Sequence, residues 1–291
     1  LWKVLVIQKP LLTVWQSLSH RLKVALLSLT VKNCKIAPSP EWMQNCLRAA
    51  GINPKNNLVD ITNFVLFELG QPLHAFDAAK IEGREVVVRT CAEGTPFVTL
   101  DGVERKLTAD DLMICSAERP MCIAGVFGGL DSGISDTTTD VFIESAYFNP
   151  VWVRKTAKRF GLNTDSSFRF ERGVDPNMQV YAAKRAALLM KELAGGEISS
   201  DITDIYPAPI EDFRFDVSFA RIDALIGKHI PEETVRAILA ALEVKVLDEK
   251  DGVLSVAVPP YRVDVQREAD LIEDILRIYG YNNVEIPSRV R

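Results

Sequence analysis

The stretch DITNFVLFELGQPLHAFD, residues 60–77, constrains this chain more than any other. A mainly apolar run, Val59 to Leu69, predicts a helix, and Gly70-Gln71-Pro72 breaks it. Thr62 and Asn63 interrupt the apolar run, and His74 follows the bend between Leu73 and Ala75. A hydroxyl, an amide and an imidazole beside a Gly-Pro bend are out of place in a plain core. Bends in a scaffold are where binding and catalytic groups tend to sit. The chain has three histidines, His20, His74 and His229, and a satisfied structural imidazole is the competing reading of His74.

Upstream, LLSLTVKNCKI (26–36) predicts a strand. SPEWMQNCLRAAGI predicts a helix capped by Ser39, opened by Pro40 and Glu41 and stopped by Gly51. From residue 84 the period shortens. EVVVRTC, DLMICSA and RPMCIAGVFGG predict strands, and Asp101-Gly102 marks a hairpin. Gly125, Gly128 and Gly129 either let a ligand approach the backbone or make a plain turn. DVFIESAYF predicts a strand that sets Glu144 among apolar residues, where a carboxylate must find a donor or stay near water.

Pro150 opens a helix carrying Arg154, Lys155, Lys158 and Arg159. A loop over Gly161 to Ser167 follows, then Arg169, Glu171 and Arg172. These cations interleave with Trp152, Phe160, Phe168 and Phe170, a pattern that suits single-stranded nucleic acid. A solvated helix face with internal ion pairs, such as Glu171 with an arginine, explains it equally well. NMQVYAAKRAALLMKELAGG (177–196) predicts a scaffold helix, and YPAPIEDF (206–213) a linker. Beyond it come a strand, two helices, a hairpin around Asp251-Gly252 and an acidic helix, the order of a winged helix-turn-helix. The domain has no basic run on a candidate recognition helix, so DNA binding draws little support from charge. Asp270, Glu273 and Asp274 stand at i, i+3 and i+4, with Asp264 on the segment before. Oxygen ligands suit magnesium, and an acidic solvated face is the alternative.

The 291 residues are 47% hydrophobic and 25% charged, enough for two cored domains, and the net charge of −5 argues against a protein that is basic all over. The five cysteines, Cys34, Cys46, Cys91, Cys115 and Cys122, form no C-x-x-C pair. They predict buried, reduced thiols in a cytosolic protein and argue against zinc. No apolar run reaches membrane-spanning length. Residues 1–27 stay unassigned: Lys3, Lys9 and Pro10 break any signal-peptide pattern, and a first residue of Leu suits a fragment.

NLVDITNFVLFELGQPLHAFD, IAGVFGGLDSGISDTTTDVFIESAYF and LNTDSSFRFERGVDP resemble the B3/B4 editing region of bacterial phenylalanine–tRNA ligase β subunits. PPYRVDVQREADLIEDILRIYGYN resembles their B5 domain. The resemblance implies an α/β (α+β) editing domain over 28–206 and a small winged-helix-like B5 domain over 213–291. It implies hydrolysis of tyrosine wrongly esterified to tRNA(Phe), because a pocket for phenylalanine cannot strongly reject tyrosine. Glu144 matches the residue that accepts the phenol O–H, and Thr164 and Ser166 match the pocket wall. Thr62, Asn63 and His74 match pocket positions, with water as the nucleophile, and backbone N–H groups near Gly125 steady the oxyanion. Ser166 stands where the family often has alanine.

Asp264, Asp270, Glu273 and Asp274 match the carboxylates linked to magnesium, with Asp274 where glutamate is usual. The resemblance further implies a cytoplasmic enzyme of α2β2 form, with the α subunit and tRNA(Phe) as partners. ATP is used by the whole enzyme and not bound by this chain. No tRNA-binding OB domain, catalytic-like core or anticodon-binding domain is recognisable. Alone, the chain is expected to be at most a deacylase, or a non-hydrolytic module that holds tRNA or a subunit.

Overall fold

Burial runs unbroken from Ala25 to Val31, the mark of a strand covered on both faces. The computed structural model describes residues 3–5 and 24–285. Most of the unassigned segment 1–27, His20 included, lies outside the described residues. The chain divides between Pro209 and Ile210 into two compact units.

The first unit contains β1 (Lys3–Leu5), β2 (Ala25–Lys32), α1 (Glu41–Ala49), α2 (Asn57–Leu69) and β3 (Leu73–Asp77). Next come β4 (Glu85–Thr90), β5 (Pro96–Val98), β6 (Glu104–Lys106), β7 (Leu112–Cys115), β8 (Pro120–Ile123), β9 (Phe127–Gly128) and β10 (Val141–Tyr147). It ends with α3 (Pro150–Phe160), α4 (Asp165–Phe170), α5 (Gln179–Ala194), β11 (Glu197–Ile198) and β12 (Thr203–Ile205). One sheet has the order β11-β2-β10-β3, with β12 also on β2. The other has the order β1-β4-β7-β8-β9, and β5 and β6 form a ribbon. Leu27, Leu29 and Val31 of β2 pack with Leu58, Ile61 and Val65 of α2 and with Ala182, Ala186 and Met190 of α5. Small residues on α5 bring that helix close to the sheet.

Two local expectations change. Ser39 does not cap α1; its hydroxyl donates to the buried Asp60 carboxylate at 2.6 Å, and Pro40 takes the cap position. Asp60 also accepts from the Lys55 N–H at 2.8 Å, so one carboxylate ties down the approach to α2. The loop expected over 161–167 stops at Thr164, whose side chain accepts from Ser167 N–H in a reciprocal cap that starts α4.

The second unit runs β13 (Phe213–Ser218), α6 (Phe219–Ile226), α7 (Glu232–Ala241), β14 (Lys245–Lys250), β15 (Val253–Val258) and α8 (Glu268–Tyr279). Its sheet order is β13-β15-β14. Val235, Leu239, Leu254, Val256 and Leu271 form the centre of its core. This is the winged-helix order read from the sequence, in a mixed α and β fold. The five cysteines are free; Cys34, Cys115 and Cys122 are buried, but Cys46 is exposed and Cys91 half-buried, against the expectation of uniform burial. Among the described residues no helix is long and apolar enough to cross a membrane.

Candidate active site

β10 lies between β2 and β3, so its residues are fixed in register from both sides. Glu144 stands opposite Ser28 on β2 and opposite His74 on β3. Residues directly opposite on neighbouring strands point to the same face, with Cβ atoms roughly 5 Å apart. The strand after the Gly-Pro bend thus presents His74 beside Glu144. A cavity of about 410 Å³ opens there. Thr62, Asn63, His74, Gly125, Glu144, Thr164 and Ser166 all line it, brought together from α2, β3, the turn after β8, β10 and the start of α4.

The two central groups are both uncharged at neutral pH. Glu144 is 4% exposed, and burial raises its pKa to about 8. It is therefore a carboxylic acid at pH 7, not the carboxylate that the sequence reading assumed. Among the described residues no hydrogen-bond donor reaches it. His74 is half-buried as a residue, but its Nε2 is buried and has no hydrogen-bond partner among the described residues. Burial lowers its pKa to about 4, so the ring is neutral. Its edge packs against Phe76, with centroids 4.4 Å apart. Gly128 makes room for the ring, since a Cβ there would stand 3.0 Å from His74 Cε1.

Other lining groups are already partly committed. The Thr62 hydroxyl donates to Val59 C=O at 2.7 Å, leaving only its lone pairs for a ligand. Asn63 is half-buried and its amide is unpaired among the described residues. Thr164 Oγ1 donates to Val126 C=O at 2.8 Å and accepts from Ser167 N–H, so it holds the wall together. Ser166 Oγ makes a long 3.4 Å contact to Gly125 C=O. Gly125 has φ +69, and a Cβ there would meet Phe148, Phe170 and Val153 at 3.0–3.1 Å. Val126 N–H donates to Ile123 C=O across this turn, and nothing among the described residues accepts from Gly125 N–H.

Sequence reasoning passed over Lys55, Asn56, Leu100 and Cys122, which also line the cavity. Asn56 carried a signal, an N-cap three residues before Val59, and its side chain does accept from Val59 N–H at 3.0 Å. Cys122 is no nucleophile: burial, with Glu144 adding to it, raises its thiol well above the usual range.

The acidic set of the second unit does not fit magnesium. Asp274 is buried and ion-paired with both Arg262 and Arg277. Asp270 pairs with Arg267 at 3.0 Å, which lowers its pKa, and accepts from Gln266 N–H at 3.2 Å. Asp264 and Glu273 are exposed. Among the described residues no three His, Cys, Asp or Glu side chains gather to hold a metal. Helical spacing put the carboxylates near one another, but arginines supply the positive charge that a cation would have supplied.

A family model described as the B3/4 domain matches residues 25–195, around this cavity. The chain belongs to the B3/4 domain family. A second model, the tRNA synthetase B5 domain, matches residues 215–281. The chain is 62% identical over 263 residues to a phenylalanine–tRNA ligase β subunit of Bacteroides fragilis, an alignment covering 90% of this chain. It is 63% identical over 260 residues to that of Bacteroides thetaiotaomicron and 45% over 255 residues to that of Geobacter sulfurreducens, covering 89% and 88% of this chain. Each alignment covers 32% of the relative, so this B3/4 chain spans about a third of the length of the curated relatives it matches. A crystal structure of an N-terminal fragment of the phenylalanyl-tRNA synthetase β subunit from Pyrococcus horikoshii aligns with 88% of this chain and 71% of its own. At 14% identity and a TM-score of 0.39 that likeness carries no argument.

Proposed function

We propose that this chain is the editing portion of a phenylalanine–tRNA ligase β subunit, and that its cavity hydrolyses tyrosine mis-esterified to tRNA(Phe). In this reading residues 28–206 form the editing domain and 213–291 the B5 domain, within an enzyme completed by α subunits. ATP and amino-acid activation belong to that whole. One observation carries the reading: a neutral imidazole with a free buried nitrogen faces a neutral buried carboxyl, side by side in a cavity sized for an aminoacyl nucleoside.

The neutral Glu144 carboxyl can accept a phenol O–H through its C=O and donate its own O–H to the phenol oxygen. Phenylalanine would leave both groups dry and unpaired, and a site built around a hydroxyl rejects the analogue lacking it far better than an apolar pocket rejects an added hydroxyl. In the tautomer protonated at Nδ1, His74 Nε2 is an acceptor. With a pKa near 4 it is a weak base, so once the cavity opens enough for water to reach the buried Nε2, its role is to receive a hydrogen bond from the attacking water and aim it. Thr62 lone pairs give that water, or a ribose hydroxyl, a second partner. Water oxygen bonds to the ester carbonyl carbon, the unpaired Gly125 N–H stabilises the oxyanion, and the ester C–O bond then breaks. The water's second proton passes to the ribose oxygen as that bond breaks, and tyrosine leaves as the free acid.

The test is deacylation of tyrosyl- and phenylalanyl-tRNA(Phe) by the chain. His74→Ala should slow loss of the tyrosyl ester about 100-fold. Glu144→Ala should bring the two esters to similar rates. Loss of both esters at the buffer rate, at every enzyme concentration, would instead favour a module that holds tRNA without cleaving it.

A further inference from the structure

The six cations of residues 154–172 are of two kinds. Arg159 pairs with Asp111 and lies 3.9 Å from the Phe160 ring centroid. Arg169 pairs with Asp165 at 3.2 Å and lies 4.7 Å from the Phe67 centroid. Arg172 pairs with Glu171 at 2.6 Å and lies 3.6 Å from the Phe168 centroid. Each of these three has a carboxylate and a ring within its own unit. Arg154, Lys155 and Lys158 are exposed and have neither among the described residues.

All three unpaired cations stand on α3, a helix with no Asp or Glu. Arg154 faces Lys158 and Lys155 faces Arg159 at i, i+4 spacing, where like charges destabilise a helix. The helix dipole favours Lys158 and Arg159 in the last turn but offers nothing to Arg154 and Lys155. The opposite side of α3 packs behind the cavity-lining Gly125, since Val153 Cγ2 would lie 3.1 Å from a Cβ there. A cavity of about 410 Å³ holds a ligand of small-molecule size, so the body of a tRNA must run outside it. With a net charge of −5, the chain as a whole does not attract RNA, and a local cationic face must do so.

We propose that the exposed face of α3, through Arg154, Lys155 and Lys158, holds the phosphate backbone of the tRNA whose esterified end enters the cavity. This rests on the editing reading for the identity of the RNA. The contacts are charge to phosphate and carry no base preference.

The experiment is filter binding of uncharged tRNA(Phe) to the chain at 50–200 mM KCl, with wild type, R154Q/K155Q/K158Q and, as control, R172Q. Three lost phosphate contacts should lower the slope of log Kd against log salt by about 2 to 3 and weaken binding at 100 mM about tenfold or more. R172Q should keep the wild-type slope, since Arg172 is already paired. Deacylation at saturating tyrosyl-tRNA should be unchanged in the triple variant while its KM rises. An unchanged slope in the triple variant overturns the proposal, as would occur were an acidic protein segment the true occupant of the face. So does a wild type that binds no tRNA. A reduced slope in a chain that cleaves no ester upholds the RNA face and removes the editing reading instead.

Discussion

The cavity of the first unit and the acidic helix of the second were both legible as candidate sites, yet their chemistry differs in one respect. In the cavity, His74 Nε2 is buried without a partner, and Glu144 is buried as a residue with no donor to its carboxyl among the described residues. On α8, the carboxylate of the buried Asp274 is satisfied twice over, by Arg262 and Arg277, and Asp270 is held by Arg267, although the Nε of Arg262 is itself buried without a partner among the described residues. A polar group that is buried and left unpaired is costly, and a fold keeps it only where something else repays the cost. A buried carboxylate between arginines has its partners already and is part of the scaffold.

The comparison breaks most visibly through Asp274. Asp274→Ala would leave Arg262 partly buried without its carboxylate and should destabilise the second unit by about 3 kcal/mol, read by urea unfolding. A neutral outcome would mean that the arginines do not need this acid. Gly125→Ala comes next, at about 2 kcal/mol for the first unit, from the positive φ and three tight contacts together. Tyrosyl-ester cleavage should fall with it, because the cavity wall must shift.

A pH series on Glu144→Gln sharpens the contrast further. The folded pKa of Glu144, about 8, exceeds its ordinary value of 4.5, so its contribution to stability is full below pH 4.5 and is lost as pH rises towards 8. The folded pKa of His74, about 4, lies below its ordinary 6.5, so stability is lost as pH falls from 6.5 towards 4. The two oppose each other between pH 4.5 and 6.5, and Glu144 acts alone above. Wild-type melting should therefore fall between pH 6.5 and 8, and Glu144→Gln should flatten that fall. An identical slope in the variant would place the Glu144 carboxyl in water rather than in a dry site. The smallest effect expected is that of magnesium. Millimolar Mg²⁺ should shift melting of the second unit equally in wild type and in D264N/E273Q. A wild-type gain absent from the variant would show that the arginine pairs give way to the ion.

Local signals explain which parts could be read in advance. Asp251-Gly252 marked a two-residue hairpin turn and Asp101-Gly102 a longer one closed by Thr99 and Val103, because such turns are set by their own residues. Pro150 and Gly161 bounded α3 for the same reason. β3 was invisible: five residues after a proline bend show no period, and the strand exists because β10, some seventy residues on, supplies its partners. α4, at six residues, was equally too short to show a helical period. Thr62, Asn63, His74, Gly125 and Glu144 were conspicuous by type, whereas Thr164 and Ser166 stood out only through the family resemblance, and nothing local brings the seven together. Nor could spacing reveal the arginines, since Arg262 reaches Asp274 from outside the helix.

The position of β10 between β2 and β3 also decides where the molecule can move. A strand bonded on both sides opens only with the whole unit, so the amides of residues 141–147 should be among the last to exchange with deuterated solvent. Glu144 thus hangs from the slowest backbone of the first unit, and His74 stands beside it on β3, the edge strand of the same sheet. The turn through Gly125 and the single-turn start of α4 at Thr164 have far fewer backbone partners. Any breathing that admits a ligand belongs to that wall, while the floor stays still.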